Sequence, residues 1–218
     1  MEQLLANDSQ KVIILGGLPG AGKTTFRKQY EKDYFIICKD DIRLWFAQQK
    51  YGNIPESLIT DLEKFSKNNK FVIPALIELY FNQSYIDIIK DNFDLFMNLV
   101  LKKDYAKTKS NIKDYVLSRF EDMTNKKGII FDATHYAKCQ RKEMLHLVNH
   151  RCPAYIIYFN VDVDTAKERN LKRASTIIDT IGGINIYGRN VPDNIIESFA
   201  KYEKLPSKKE GFKEVFIM

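Results

Sequence analysis

The chain has 218 residues, of which 44% are hydrophobic and 28% charged, and its 34 Lys and Arg against 28 Asp and Glu give a formal charge of +6. This composition excludes a disordered or collagen-like chain and suffices for one core, so a single domain over residues 1–218 is expected rather than two independent ones. The positive excess suits a polyanionic partner, and it would equally serve solubility alone.

Met1 to Gln10 is acidic and lacks the basic start and apolar centre of a secretory signal. Lys11 to Leu15 is short, apolar and β-branched and predicts a strand. Gly17, Leu18, Pro19, Gly20, Ala21, Gly22, Lys23, Thr24 and Thr25 follow, fitting G-x-x-x-x-G-K-[ST], and Phe26 to Tyr30 can continue as a helix. In this order the glycines let backbone N–H groups point at phosphate oxygens, and the helix start adds the positive end of its dipole. Lys23 is expected on the β- and γ-phosphates and Thr24 on Mg²⁺, which makes ATP, or another nucleoside triphosphate, and Mg²⁺ the expected ligands.

Tyr34 to Cys38 predicts a second strand, with Lys39-Asp40-Asp41-Ile42-Arg43 at its end, where open parallel sheets bind ligands. Asp40 there can take a proton from an attacking hydroxyl, and Arg43 can hold an acceptor phosphate. The plainer alternative is an Asp cap on a helix beginning near Asp41, with Arg43 solvated.

From residue 46 to residue 127 the pattern turns helical, with Tyr85, Ile89, Phe93, Phe96 and Val100 in one series and Ile112, Val116, Phe120 and Met123 in another. We read this as a helical insertion between the second and third core strands. Its Lys102-Lys103 and Lys107 to Lys113 stretches, interleaved with Tyr105 and Tyr115, could meet nucleic acid, but nearly equal acidic content favours a solvated helix surface.

Gly128 to Asp132 predicts the third strand, ending on a carboxylate placed for a role near Mg²⁺ and Thr24, or for a polar cap. Thr134, His135 and Arg141 follow as candidate acceptor contacts, Arg141 near the start of a helix over Lys138 to Asn149. No second ligand at metal spacing accompanies His135, His146 or His150, which argues against zinc. Ala154 to Val161 reads as a strand buried on both faces. Asp162-Val-Asp164-Thr165 opens a helix, with Asp164 or Thr165 as its expected cap. Arg169 and Arg173 are four apart on that helix and share a face, an arrangement suited to clamping phosphates. Ala174 to Asn190, with Gly182-Gly183 and Gly188-Arg189, reads as a lid before the helix opened by Val191-Pro192-Asp193, and Glu214 to Met218 as a closing strand.

With these pieces assembled, the chain resembles the P-loop polynucleotide 5′-kinases. The matching stretches are GLPGAGKTTF at Gly17 to Phe26, KDDIR at Lys39 to Arg43, FDATH at Phe131 to His135, RNLKR at Arg169 to Arg173 and the Val191-Pro192 that follows. The resemblance covers residues 11 to 45 and 128 to 204, and the helical insertion lies outside it. It implies that Lys23 and Thr24 serve ATP and Mg²⁺, that Asp40 is the general base for a 5′-hydroxyl and that Arg43 binds the acceptor's 3′-phosphate. It also implies that Arg173 stabilises the transition state and that Arg169 supports the lid or the nucleotide. Lys39 stands where the family often has arginine, and His135 where it often has asparagine; both departures touch the acceptor side.

The expected fold is α/β, a P-loop NTPase-type parallel sheet flanked by helices, with a helical insertion and an arginine-bearing lid. The expected partner is RNA or DNA with a 5′-hydroxyl end. The rivals are a small-molecule kinase, such as a nucleotide-sugar kinase of the zeta-toxin type or an antibiotic kinase, and a nucleotide-dependent switch whose insertion grips a partner. Cys38, Cys139 and Cys152 lack C-x-x-C spacing, which suits a reducing, cytoplasmic setting. No apolar run has membrane-spanning length, since Phe71 to Phe81 is short and contains Pro74 and Glu78.

Overall fold

The computed structural model describes residues 1–52, 62–101, 110–148, 150–181, 184–187 and 190–218. Much of the Lys-rich stretch, with Tyr105, and also Asn149, Gly182, Gly183, Gly188 and Arg189, lie outside the described residues. The described elements run α1 (Glu2–Ala6), β1 (Lys11–Gly17), α2 (Lys23–Lys28), β2 (Tyr34–Cys38), α3 (Lys39–Tyr51), α4 (Asn69–Phe81), α5 (Tyr85–Asp91), α6 (Phe93–Leu101), α7 (Ser110–Ser118), α8 (Phe120–Met123), β3 (Gly128–Asp132), α9 (Lys138–Val148), β4 (Ala154–Phe159), α10 (Val163–Ser175), β5 (Ile177–Ile181), β6 (Ile184–Tyr187), α11 (Asp193–Lys201) and β7 (Glu214–Ile217). Short 3₁₀ helices at Leu62–Asn68 and Lys208–Glu210 complete them.

Five strands form an all-parallel sheet in the order β2-β3-β1-β4-β7, flanked by helices, so the P-loop NTPase-type α/β fold expected from the sequence is the fold observed. β1 is central, pairing Leu15 with Asp132 of β3 on one side and Gly17 with Phe159 of β4 on the other. Every residue of β1 and β3 is buried, which is why both read as unbroken apolar runs without polar alternation. β7 joins the outer side of β4, pairing Val215 with Ile156, and is only half-buried. No described helix is long and apolar enough to cross a membrane.

The chain divides into two compact units. The first contains Met1–Ile36 and Lys127–Met218. Its sheet core joins Ile13, Leu15, Ile130 and Ile157 to Phe26 of α2 and Leu5 of α1. α1, absent from the sequence reading, is tied down from below: Lys11 is 1% exposed and its ammonium donates to the carbonyls of Leu4 and Asn7, while Tyr34 Oη donates to Leu5 O at 3.2 Å. Burial, with Lys127 as a second cause, lowers the pKa of that ammonium.

The second unit contains the described parts of Ile37–Asn53 and Asp61–Lys126. It thus begins inside β2 and takes in all of α3, whereas the sequence placed the insertion at 46. At its centre is α4, whose Val72, Ile73, Leu76, Ile77 and Leu79 are all buried. Trp45 and Phe46 of α3 meet Tyr115 of α7 with ring centroids 5.1 and 5.8 Å apart. Burial raises the Tyr115 pKa, against the opposing pull of Arg119. The series from Tyr85 to Val100 is split between α5 and α6 at Asn92, which leaves helical geometry at φ −146° and ψ 81°.

Candidate functional site

The phosphate loop is shaped by backbone geometry that glycine alone tolerates well. Gly17, Gly20 and Gly22 take φ of +126°, +84° and +104°. Space makes the same demand: a Cβ on Gly17 would lie 2.4 Å from Phe159 O, and one on Gly20 would lie 2.4 Å from Ala166 O. Leu18 anchors the loop in a cluster with Ala166 and Ile196, while Pro19 is half-buried and Ala21 buried. Lys23 Nζ folds back over the loop and donates to Gly17 O at 2.8 Å and Leu18 O at 2.7 Å. Gly22 caps α2, whose first-turn N–H groups have no partner within the helix, and Thr24 and Thr25 on that turn are exposed.

The loop after β3 supports this one. Thr134 O accepts from Gly17 N–H at 2.8 Å, and His135 Nδ1 lies 2.7 Å from Leu15 O. His135 is 2% exposed at φ +38°, so its ring serves the end of β1 from inside the protein. Arg141 has a task different from the expected acceptor contact. It is 0% exposed, its Nε and Nη2 each donate to the Glu210 carboxylate at 2.8 Å, and its Nη1 donates to His135 O and Tyr136 O. A guanidinium so enclosed braces the loop and offers no surface to a ligand. Asp132 is likewise buried, and its Oδ2 lies 3.2 Å from Arg27 Nε of α2, so its charge is answered by an arginine one turn beyond Lys23.

Helix α10 packs directly on the phosphate loop, as the Ala166 O approach to Gly20 requires. Its cap is Asp162, which accepts from Thr165 N–H at 2.8 Å and Thr165 Oγ1 at 2.7 Å. This replaces the expected Asp164 or Thr165, because the chain is still extended at Asp162, with ψ 161°. Those two bonds, the backbone one foremost, lower the Asp162 pKa. Arg169 and Arg173 are both exposed on this helix, and Arg173 Nη2 donates to Asn170 Oδ1 at 3.0 Å. Within the expected lid stretch, β5 and β6 pair antiparallel, Ile181 opposite Ile184.

In the second unit, α3 starts at Lys39, directly after β2, with Cys38 as its N-cap residue. Asp40 and Asp41 therefore occupy the first helical turn, not the N-cap position, and their charge suits the helix dipole. Arg43 Nη1 lies 2.5 Å from Asp40 Oδ1, one turn along, with the carboxylate side chain 54% exposed and the arginine 16%.

Comparison with known proteins decides the family. A family model described as an AAA domain matches residues 12–180. The chain belongs to the AAA domain family. Within it the protein is a P-loop kinase-like nucleotide-binding domain, a phosphotransferase type at this coarse level. No curated protein matches the chain. Among solved structures it is similar to TT1252 from Thermus thermophilus, with 10% identity and a TM-score of 0.41 over 96% of this chain and 88% of that one, a likeness too weak to bear on function.

For an AAA domain of this type the ligand set is coherent. The loop amides, Lys23 and the first turn of α2 fit a triphosphate, and the exposed Thr24 hydroxyl fits a hard cation. Among the described residues no group of three His, Cys, Asp or Glu could hold a metal. Sequence reasoning overlooked the bracing pair Arg141 and Glu210, 69 positions apart. It also overlooked the hairpin, although two β-branched runs around Gly182-Gly183 carried that signal.

Proposed function

We propose that the protein transfers the γ-phosphate of ATP to the 5′-hydroxyl of RNA or DNA. One observation weighs most: the helix bearing the Arg169 and Arg173 pair abuts the phosphate loop at Gly20. It supports a donor-side role for these arginines, of the kind an arginine finger has in phosphoryl transfer. The order KDDIR, FDATH, RNLKR and Val-Pro adds the acceptor preference through its resemblance to polynucleotide kinases.

In this reading the loop amides and Lys23 bind the β- and γ-phosphates, and Thr24 would hold Mg²⁺, with Asp132 reaching it through water. Bound Mg²⁺ would neutralise charge on the phosphate oxygens. The Asp40 carboxylate takes the proton of the 5′-hydroxyl, whose oxygen bonds to the γ-phosphorus as the bond to the β–γ bridging oxygen breaks and ADP leaves. Arg43 aligns Asp40 and receives the acceptor's adjacent phosphate, Thr134 lies toward the acceptor, and Arg173 meets charge developing on the γ-phosphoryl oxygens, with Arg169 beside it.

The test offers γ-labelled ATP and Mg²⁺ with 5′-hydroxyl RNA and DNA oligonucleotides beside nucleotide sugars and aminoglycosides. Label at an oligonucleotide 5′ end supports the proposal. Label on a small molecule alone overturns it in favour of a small-molecule kinase, and nucleotide binding without any labelled acceptor favours a switch protein.

A further inference from the structure

The Asn170 side chain is 1% exposed, and every hydrogen-bonding position on its amide is taken. Its Nδ2 donates to Asn190 Oδ1 at 2.6 Å and to Val191 O at 2.8 Å. Its Oδ1 accepts from Val191 N–H at 3.1 Å and from Arg173 Nη2 at 3.0 Å. Asn170 N also lies 3.4 Å from where a Cβ on Gly20 would stand, so this turn of α10 rests on the phosphate loop. One amide thus touches an arginine on its own helix and the segment by which the chain returns from β6 to α11.

We propose that Asn170 is a positioning residue: it orients the Arg173 guanidinium and makes that orientation depend on the docking of Asn190 and Val191. The proposal rests on the reading of Arg173 as the charge that stabilises the transferring phosphoryl. A solvated arginine explores many rotamers, whereas a guanidinium with one nitrogen fixed to a buried amide keeps its planar fork aimed. Serine, alanine or leucine at 170 would fill the helix position but could not span Arg173, Asn190 and Val191 together. Movement of the Asn190–Val191 segment would withdraw three of the four bonds that hold the amide and thereby loosen the arginine.

The experiment is a double-mutant cycle on Mg·ATP hydrolysis without acceptor, run alongside label transfer to a 5′-hydroxyl oligonucleotide. The proteins are wild type, N170S, N190A, R173A, N170S/R173A and N190A/R173A. N170S is expected to lower turnover about tenfold to a hundredfold with the KM for ATP held within about threefold, and N190A, at an exposed position, to lower it about threefold. In R173A neither second substitution should cause further loss, and added guanidinium should restore R173A more fully than N170S/R173A or N190A/R173A. Multiplying losses, or equal rescue of R173A and the double variants, would overturn the proposal, since a purely structural asparagine behaves that way. Full hydrolysis by R173A would overturn it together with the role given to Arg173. If N170S does not fold, the N190A arm decides by the same criteria. A cycle that holds on hydrolysis while no oligonucleotide takes label supports Asn170 and overturns only the acceptor reading.

Discussion

The phosphate loop and the Asp40–Arg43 pair are built on opposite principles. Around the loop nearly every bond is backbone to backbone or buried: Gly17 to Thr134, Lys23 to the loop carbonyls, His135 to Leu15 and Arg141 to Glu210. Asp40 and Arg43 instead pair across one helical turn, with the carboxylate more than half exposed. In the proposed reading, a rigid loop for the triphosphate and a solvent-facing carboxylate for the acceptor would divide generic binding from specificity, because preorganised amides stabilise developing charge without reorganising. Under that reading the Asp40–Arg43 pair would exchange its internal bond for bonds to a ligand at small cost.

If the comparison holds, removing buried charges and exposed charges should have very different consequences. Arg141→Ala strands the Glu210 carboxylate and should destabilise the fold by about 3–5 kcal/mol in urea unfolding. A loss below ~1 kcal/mol would mean that the bracing network is slack. Lys23→Ala removes two buried bonds to the loop carbonyls and should cost about 1–3 kcal/mol of stability while lowering kcat/KM for ATP about 10²–10³-fold, so a loss of stability with kcat/KM unchanged would reassign Lys23 to structure. Arg43→Ala should show its effect in acceptor KM, while Asp40→Ala, whose carboxylate is 54% exposed, should cost no more than ~1 kcal/mol of stability.

The smallest effect is expected from Asp162→Ala. The Asp162 pKa is lower folded than unfolded, so its contribution is complete above the ordinary carboxylate range and fades as pH falls through the folded value. Thermal melts of wild type and variant should therefore differ at neutral pH and converge in acid. A gap that widens in acid would contradict the cap.

The same contrast explains what could be read from the sequence. The loop was legible because its constraints are local, three glycines with positive φ between a β-branched run and a helix. Strands β1 to β4 were legible because buried parallel strands read as apolar runs, and half-buried β7 as the short apolar stretch from Val215. Arg141 was misread because its position near a helix start resembles that of a ligand contact, and nothing local reveals a carboxylate 69 residues later. Asp162 was passed over for its neighbours because an Asp-x-Asp-Thr sequence offers several cap candidates, and only the backbone angle at Asp162 selects one.

The central claim is that ATP use and acceptor activation reside in different residues, with a 5′-hydroxyl end as acceptor. Its most direct test compares wild type and Asp40→Asn for transfer of label from γ-labelled ATP to a 5′-hydroxyl oligonucleotide, with ATP affinity measured on the same samples. The account predicts label at the 5′ end in wild type and a loss of about 10²–10⁴-fold in the variant with ATP affinity retained. An unlabelled oligonucleotide with wild type, or a collapse of ATP affinity in Asp40→Asn, would contradict it.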